Sequence, residues 1–158
     1  MRGEFQKIAQ ELEAKAHLLD SATALMERIV RTLHGRLHHF NWVGFYLISK
    51  DDSNVLELGP FAGAPTPHTR IPLDQGICGA AASTGETLVI DDVNSDPRYL
   101  ACSLETKSEI VVPIFVNGRV AGELDIDSRT PAAFTSDDRE LVEHCAKLAG
   151  RRLASQAA

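Results

Sequence analysis

Three cysteines and a crowded set of carboxylates are the side chains of this 158-residue chain best suited to chemistry. Cys102 lies in a polar stretch with Ser103, Glu105, Thr106, Lys107 and Ser108 after it, and Glu109 opens the apolar run that follows. The residue types that thiol redox chemistry needs are thus close in sequence; a semi-exposed bystander thiol is the competing reading. Cys78 sits between glycines in Gly76-Ile77-Cys78-Gly79, just before an alanine-rich turn. The dipole of a helix start lowers a thiol pKa, whereas a tight turn simply accommodates a small buried residue, and spacing leaves both readings open. Cys145 falls on the apolar stripe of a C-terminal helix, where a thiol behaves as a small hydrophobe.

Glu123, Asp125 and Asp127 alternate with Leu124 and Ile126, so three carboxylates share one face of a strand. The usual explanation is the solvent side of an amphipathic strand. The functional one is an acidic pocket floor, where crowding raises at least one pKa and keeps a proton available. The six histidines form no ligand pattern: His38-His39 closes a helix and His68 stands in a proline-rich loop. Zinc sites want paired ligands at short spacing, and none occur, so no metal or cofactor is expected. Glycine-rich phosphate loops and a Gly-x-Ser-x-Gly elbow are also missing.

The elements that must position these groups follow from periodicity. Residues 4–37 carry helical spacing in two stretches. In the second, Ala22, Met26, Ile29, Val30, Leu33 and Leu37 share a face, with Asp20 and Ser21 as cap-type residues before it. From Phe40 the pattern changes to FNWVGFYLI, a strand with VLEL as its hairpin partner. GPFAGAPTPHTRIPLDQG is rich in proline and glycine and reads as mostly loop, TLVIDD as a buried strand, and VNSDPRYLACSLETKS as a long surface loop of the kind that is often functional. EIVVPIFV and RVAGELDID form a hairpin through Asn117-Gly118. Thr135-Ser136-Asp137-Asp138 resembles a capping box opening a helix that buries Leu141, Cys145 and Leu148. This order gives an α+β domain with a mostly antiparallel sheet of about six strands and the N- and C-terminal helices packed on one side.

Composition bounds the rest. The length suits one domain over 1–158, with helices at about 4–37, sheet and loops at about 40–128, and a last helix at about 136–153. A net charge of −6 without a Lys/Arg cluster disfavours nucleic acid and anionic membranes. No run approaches the roughly 18 apolar residues of a membrane span, and the charged N-terminus lacks the apolar region of a signal peptide. Three cysteines do not make a disulfide scaffold, so a cytoplasmic protein with reduced thiols is expected.

Several segments together resemble the free methionine-(R)-sulfoxide reductases, enzymes built on a GAF domain. The matching stretches are NWVGFYL, LGPFAG, TRIPLDQGICGAAA, YLACS with SEIVVPI, and GELDIDS, in family order from about residue 41 to 128. The resemblance implies a GAF-like fold, Cys102 as catalytic nucleophile, and Glu109, Asp125 and Asp127 as the carboxylates that bind the substrate's amino group and sulfoxide oxygen. It implies Trp42 as the aromatic residue packed on the sulfoxide methyl, and Cys78 as a second family cysteine. One position departs: many members carry a disulfide-forming cysteine where this chain has His68. Cys78 then becomes the candidate to resolve a sulfenic acid on Cys102, with a small external thiol as the alternative. A thioredoxin-type reductant and a homodimer are further implications, the apolar faces of the first helices also suggesting a dimer. A GAF sensor binding a small ligand without catalysis is the competing class. A sensor, however, has no need of Cys102 together with Glu109, Asp125 and Asp127.

Overall fold

The computed structural model describes residues 1–101 and 103–157. Helices α1 (Gly3–Ala16) and α2 (Ala22–Arg36) lead into strands β1 (Trp42–Ile48), β2 (Val55–Ala62) and β3 (Arg70–Pro72). Helix α3 (Gly76–Thr84), strands β4 (Leu88–Ile90), β5 (Ser108–Val116) and β6 (Arg119–Ser128), and helix α4 (Ser136–Ala157) complete the order. The six strands form one sheet, ordered β3-β2-β1-β6-β5-β4, with every pair antiparallel.

Local chemistry sets the boundaries. Ser21 caps α2, its Oγ accepting the Ala24 amide at 3.1 Å. At α4 the capping box forms: the Asp138 amide donates to Thr135 Oγ1 at 3.3 Å, and Asp138 Oδ2 accepts the Thr135 amide at 2.8 Å. The β5–β6 hairpin turns through Asn117 and Gly118 at φ 52° and 77°, a conformation that these two residue types tolerate best. One expectation is corrected. Gly59-Pro60-Phe61-Ala62, read as loop, continues β2, because the register with β1 shifts there: Gly44 faces Phe61 but Tyr46 faces Leu58. Gly59 and Pro60 occupy this bulge beyond the last residue paired with β3, where a missing amide donor costs no ladder bond.

Two cores flank the sheet. Helices α1, α2 and α4 cover one face, burying Leu12, Leu25, Ile29 and Leu33 against Phe45, Ile110, Ile114, Leu124 and Ile126. Each such side chain contributes on the order of 1.5–3 kcal/mol. The apolar faces of the first helices are therefore spent inside the chain and offer no argument for a dimer. The short α3 covers the other face, packing Ile77, Cys78 and Ala81 near Tyr46, Leu56, Ile71 and Val111. None of the described helices is long and apolar enough to cross a membrane.

Candidate active site

The face beneath α3 carries the acids. Register across β1, β6 and β5 builds three rows: Trp42–Asp127–Glu109, Gly44–Asp125–Val111 and Tyr46–Glu123–Pro113. Period-two alternation places all nine side-chain positions on one side. Glu109, Glu123, Asp125 and Asp127 are all buried there, none more than 5% exposed. The solvent-face explanation for the β6 carboxylates is thus overturned. Alternation identifies a polar face but is blind to a cover, and α3 is that cover.

Cys78 lies inside the first turn of α3 rather than ahead of it. Its Sγ donates to Asp125 Oδ2 at 3.4 Å. Burial first, then the charges of Asp125, Glu123 and Glu109, push this thiol well above its ordinary value, overriding any help from the helix start. Burial likewise raises Glu109, reinforced by Asp125 and Asp127, and raises Glu123. Asp125 is raised by burial and drawn back by hydrogen bonds from Glu109 and Cys78. Burial and its acidic neighbours thus bias Glu109 towards its protonated form, with Asp125 as its hydrogen-bond partner. Such a cluster supplies a proton and cradles a cation. Cys78, Glu109 and Asp125 each bring a ligand atom within 4.8 Å of the others, a set that a thiophilic divalent cation could also use.

Trp42 walls the acidic floor. Its half-buried indole stacks on Phe61 with centroids 5.8 Å apart, and Nε1 donates to the Ala64 carbonyl at 2.9 Å. The ring lies over Gly44, where a Cβ would fall 2.2 Å from Trp42 Cη2. Gly44 is the slot that lets the ring lie flat beside Asp125.

Two recesses open on this face. One is lined by Tyr46, His68, Cys78, Leu100, Glu109 and Asp125, and the other by Trp42, Thr66, Ser103, Thr106, Asp127 and Arg129. Leu100 borders the first and Ser103 the second, so the stretch running from one to the other contains position 102. Cys102 itself lies outside the described residues. Its neighbour Ala101 is tied down, the carbonyl 3.1 Å from His68 Nε2. Cys145 is on the opposite face, fully buried, its thiol pushed up to about 12 by burial alone.

Tyr46 is the residue that the sequence reading passed over. It is buried beneath the first recess, its hydroxyl donating to the His68 carbonyl at 2.8 Å. Its place two residues beyond Gly44 on the Trp42 face was the available signal.

The model of the GAF domain matches residues 21–153. The Saccharomyces cerevisiae protein named free methionine-R-sulfoxide reductase is 47% identical over 109 residues, 68% of this chain and 60% of that protein, so the match spans under two thirds of the yeast protein's length. The Escherichia coli protein of the same name is 36% identical over 138 residues, 83% of this chain and 81% of that protein. Among solved structures, the Neisseria meningitidis free methionine-R-sulfoxide reductase in complex with its substrate superimposes with a TM-score of 0.89 at 35% identity, covering 98% of this chain and 92% of that one.

Proposed function

The chain belongs to the free methionine-R-sulfoxide reductase family, built on the GAF domain, and on that premise we propose that it reduces free methionine-(R)-sulfoxide to methionine at the acidic face beneath α3. The observation that carries the reading is the burial of Glu109, Asp125 and Asp127 in adjoining rows beside Trp42.

The chemistry follows from charge and proton placement. The ammonium of free methionine sulfoxide pairs with ionised carboxylate on the floor, a partner that a peptide-bonded methionine, its nitrogen an amide, cannot supply. Trp42 packs against the sulfoxide methyl. A proton on Glu109 reaches the sulfoxide oxygen as the S–O bond weakens, which makes the sulfur susceptible to a thiolate. Cys102 supplies that thiolate. The substrate sulfur gains two electrons and leaves as the thioether, while the Cys102 sulfur loses two and keeps the oxygen as a sulfenic acid. A disulfide stage and a thioredoxin-type dithiol donor restore the thiol. A homodimer is part of this proposal on resemblance alone.

The acidic floor also weighs against a sensor of cyclic nucleotides, whose phosphate would meet four buried acids. The decisive assay offers free methionine-(R)-sulfoxide, the (S) epimer and a sulfoxide-containing peptide separately, each with dithiothreitol. Turnover of the first alone is expected. Equal turnover of both epimers, or none at all, would sink the proposal.

A further inference from the structure

Cys78, Glu109 and Asp125 come from three elements, α3, β5 and β6, yet each brings a ligand atom within 4.8 Å of the other two. All three are buried, and Cys78 Sγ lies 3.4 Å from Asp125 Oδ2. Paired ligands at short spacing, the usual sequence signature of zinc, are missing because the fold does the pairing instead. One sulfur and two carboxylates suit zinc or cadmium rather than magnesium or calcium, which take oxygen ligands. Donors on one zinc at about 2.0–2.3 Å stand roughly 3.5 Å apart in tetrahedral geometry, so closing the set asks for side-chain shifts of about 1 Å.

A second observation points the same way. Glu123 is fully buried beside Cys78, and neither of its carboxylate oxygens has a hydrogen-bond partner among the described residues. The single proton of the Cys78 thiol goes to Asp125. A buried polar group without a partner is costly, and a cation at the thiol would satisfy Glu123, as a fourth ligand or through a bound water. The recess supplies the approach: Cys78, Glu109 and Asp125 line it with Tyr46, His68 and Leu100. His68 is only partly buried, so an imidazole, itself a zinc-type ligand, borders the way in.

We propose that Cys78, Glu109 and Asp125 form an inhibitory site for a thiophilic divalent cation of the zinc type. The inhibition rests on the reductase reading above: Glu109 and Asp125 are the carboxylates assigned to the substrate, so the ion and the substrate ammonium exclude each other. Binding exchanges a proton for the ion. The Cys78 S–H bond breaks, a sulfur–metal bond forms, and the proton leaves to water, with any proton on Glu109 leaving as well; no electrons are transferred.

The probe for the site is cadmium chloride, whose bond to a thiolate absorbs in the ultraviolet. It is titrated into the full chain carrying Cys102→Ser, which leaves Cys78 and the core-buried Cys145 as thiols. A saturable one-to-one rise of the sulfur–cadmium band, with proton release, is expected. The band should vanish when Cys78→Ser is added. Asp125→Asn in the same Cys102→Ser background should weaken binding by about 10–100-fold, and it carries the test if the double cysteine variant does not fold. No band, a band that survives loss of Cys78, or unchanged affinity in Asp125→Asn would overturn the site.

Inhibition is read on the unaltered protein with free methionine-(R)-sulfoxide and no added thiol, since a thiol would sequester the ion. Zinc chloride should abolish single-turnover methionine release, EDTA should restore it, and more sulfoxide should raise the zinc required. Half-inhibition should fall where zinc displaces half of the cadmium from the Cys102→Ser protein; inhibition only well above that concentration, or none, would overturn the inhibitory role. No methionine release from metal-free protein would overturn the reductase reading and the inhibition with it, while the cadmium titration decides the site independently.

Discussion

Glu109 and Asp127 face each other directly across β5 and β6, both buried, in the same cross-strand row as Trp42. Like charges directly opposite on a sheet are ordinarily destabilising, and here they are also removed from water. Burial and mutual repulsion favour the protonated form of Glu109, and a bound ammonium would relieve the charge that remains.

Charge at this pair is therefore expected to be functional. Glu109→Gln and Asp127→Asn should each lower kcat/KM by about 10²–10³, the typical cost of removing one group that stabilises a transition state. Circular dichroism should be unchanged. Near-normal kinetics in both variants would return these carboxylates to a structural role.

The seat of the indole gives a second prediction. Gly44→Ala places a methyl where the Trp42 ring now lies, so the ring must tilt. KM for the free sulfoxide should rise about tenfold, equivalent to about 1.4 kcal/mol. Trp42 is the single tryptophan, so its emission reports the tilt without labelling.

Stability should move against pH in the opposite sense to a protein held by salt bridges. Glu109, Glu123 and Asp125 have folded values raised above their ordinary carboxylate range, chiefly by burial. Once the pH exceeds that range the native state binds more protons than the unfolded chain, so unfolding free energy falls as pH rises towards the raised values. Below that range this penalty disappears. The substrate-free protein should melt higher at about pH 5 than at about pH 7.5. Glu123→Gln should raise the neutral-pH Tm by about 2–4 °C for each kcal/mol of charge burial removed. A melting temperature independent of pH across this window would contradict it.

Asp138 carries the reverse sign. Burial works against its charge, but hydrogen bonds from His39 and Thr135 prevail and hold its pKa below 3.8. His39 Nε2 is 2.6 Å from Asp138 Oδ1. The stability it lends is present above that value and lost as pH falls through the lowered one. Asp138→Ala should cost about 1–2 kcal/mol through the lost helix cap, read as a drop in the urea midpoint with activity per folded molecule unchanged.

The buried thiol of α4 separates packing from chemistry. Cys145→Ser introduces a hydroxyl where the thiol is fully buried, costing about 1–3 kcal/mol if it stays unsatisfied, whereas kcat should not change. Cys102→Ser, by contrast, should abolish turnover, because a hydroxyl at neutral pH is a far weaker nucleophile than a thiolate.

Much of this was legible before any coordinates. Asn117-Gly118, Ser21 and the Thr135–Asp138 box each carry a local physical signal, and each sits where that signal places it. What the sequence hid is tertiary. The β6 acids read as a solvent face because alternation registers polarity, not the helix lying over it. The bulge at Gly59-Pro60 needs a partner strand before it makes sense. Cys78 was ambiguous for the same reason: its glycine neighbours speak to a close approach, but only the fold shows that the approach is to the Pro72 and Leu73 carbonyls. The nucleophile's identity came from resemblance, and Cys102 lies outside the described residues.

The central position of β1 has a consequence for how the protein is made. Trp42 pairs with Asp127, about 85 positions further along the chain, so a ribosome releases one wall of the pocket long before it reaches the other. Through that interval NWVGFYLI has β2 on one side and an open, aromatic edge on the other, a template for pairing with a second nascent chain. The helices that will cover one face include α4, which follows all six strands in the chain. Productive folding of this domain therefore waits until β6 and α4 have emerged, and the yield should depend on what shields this strand until then.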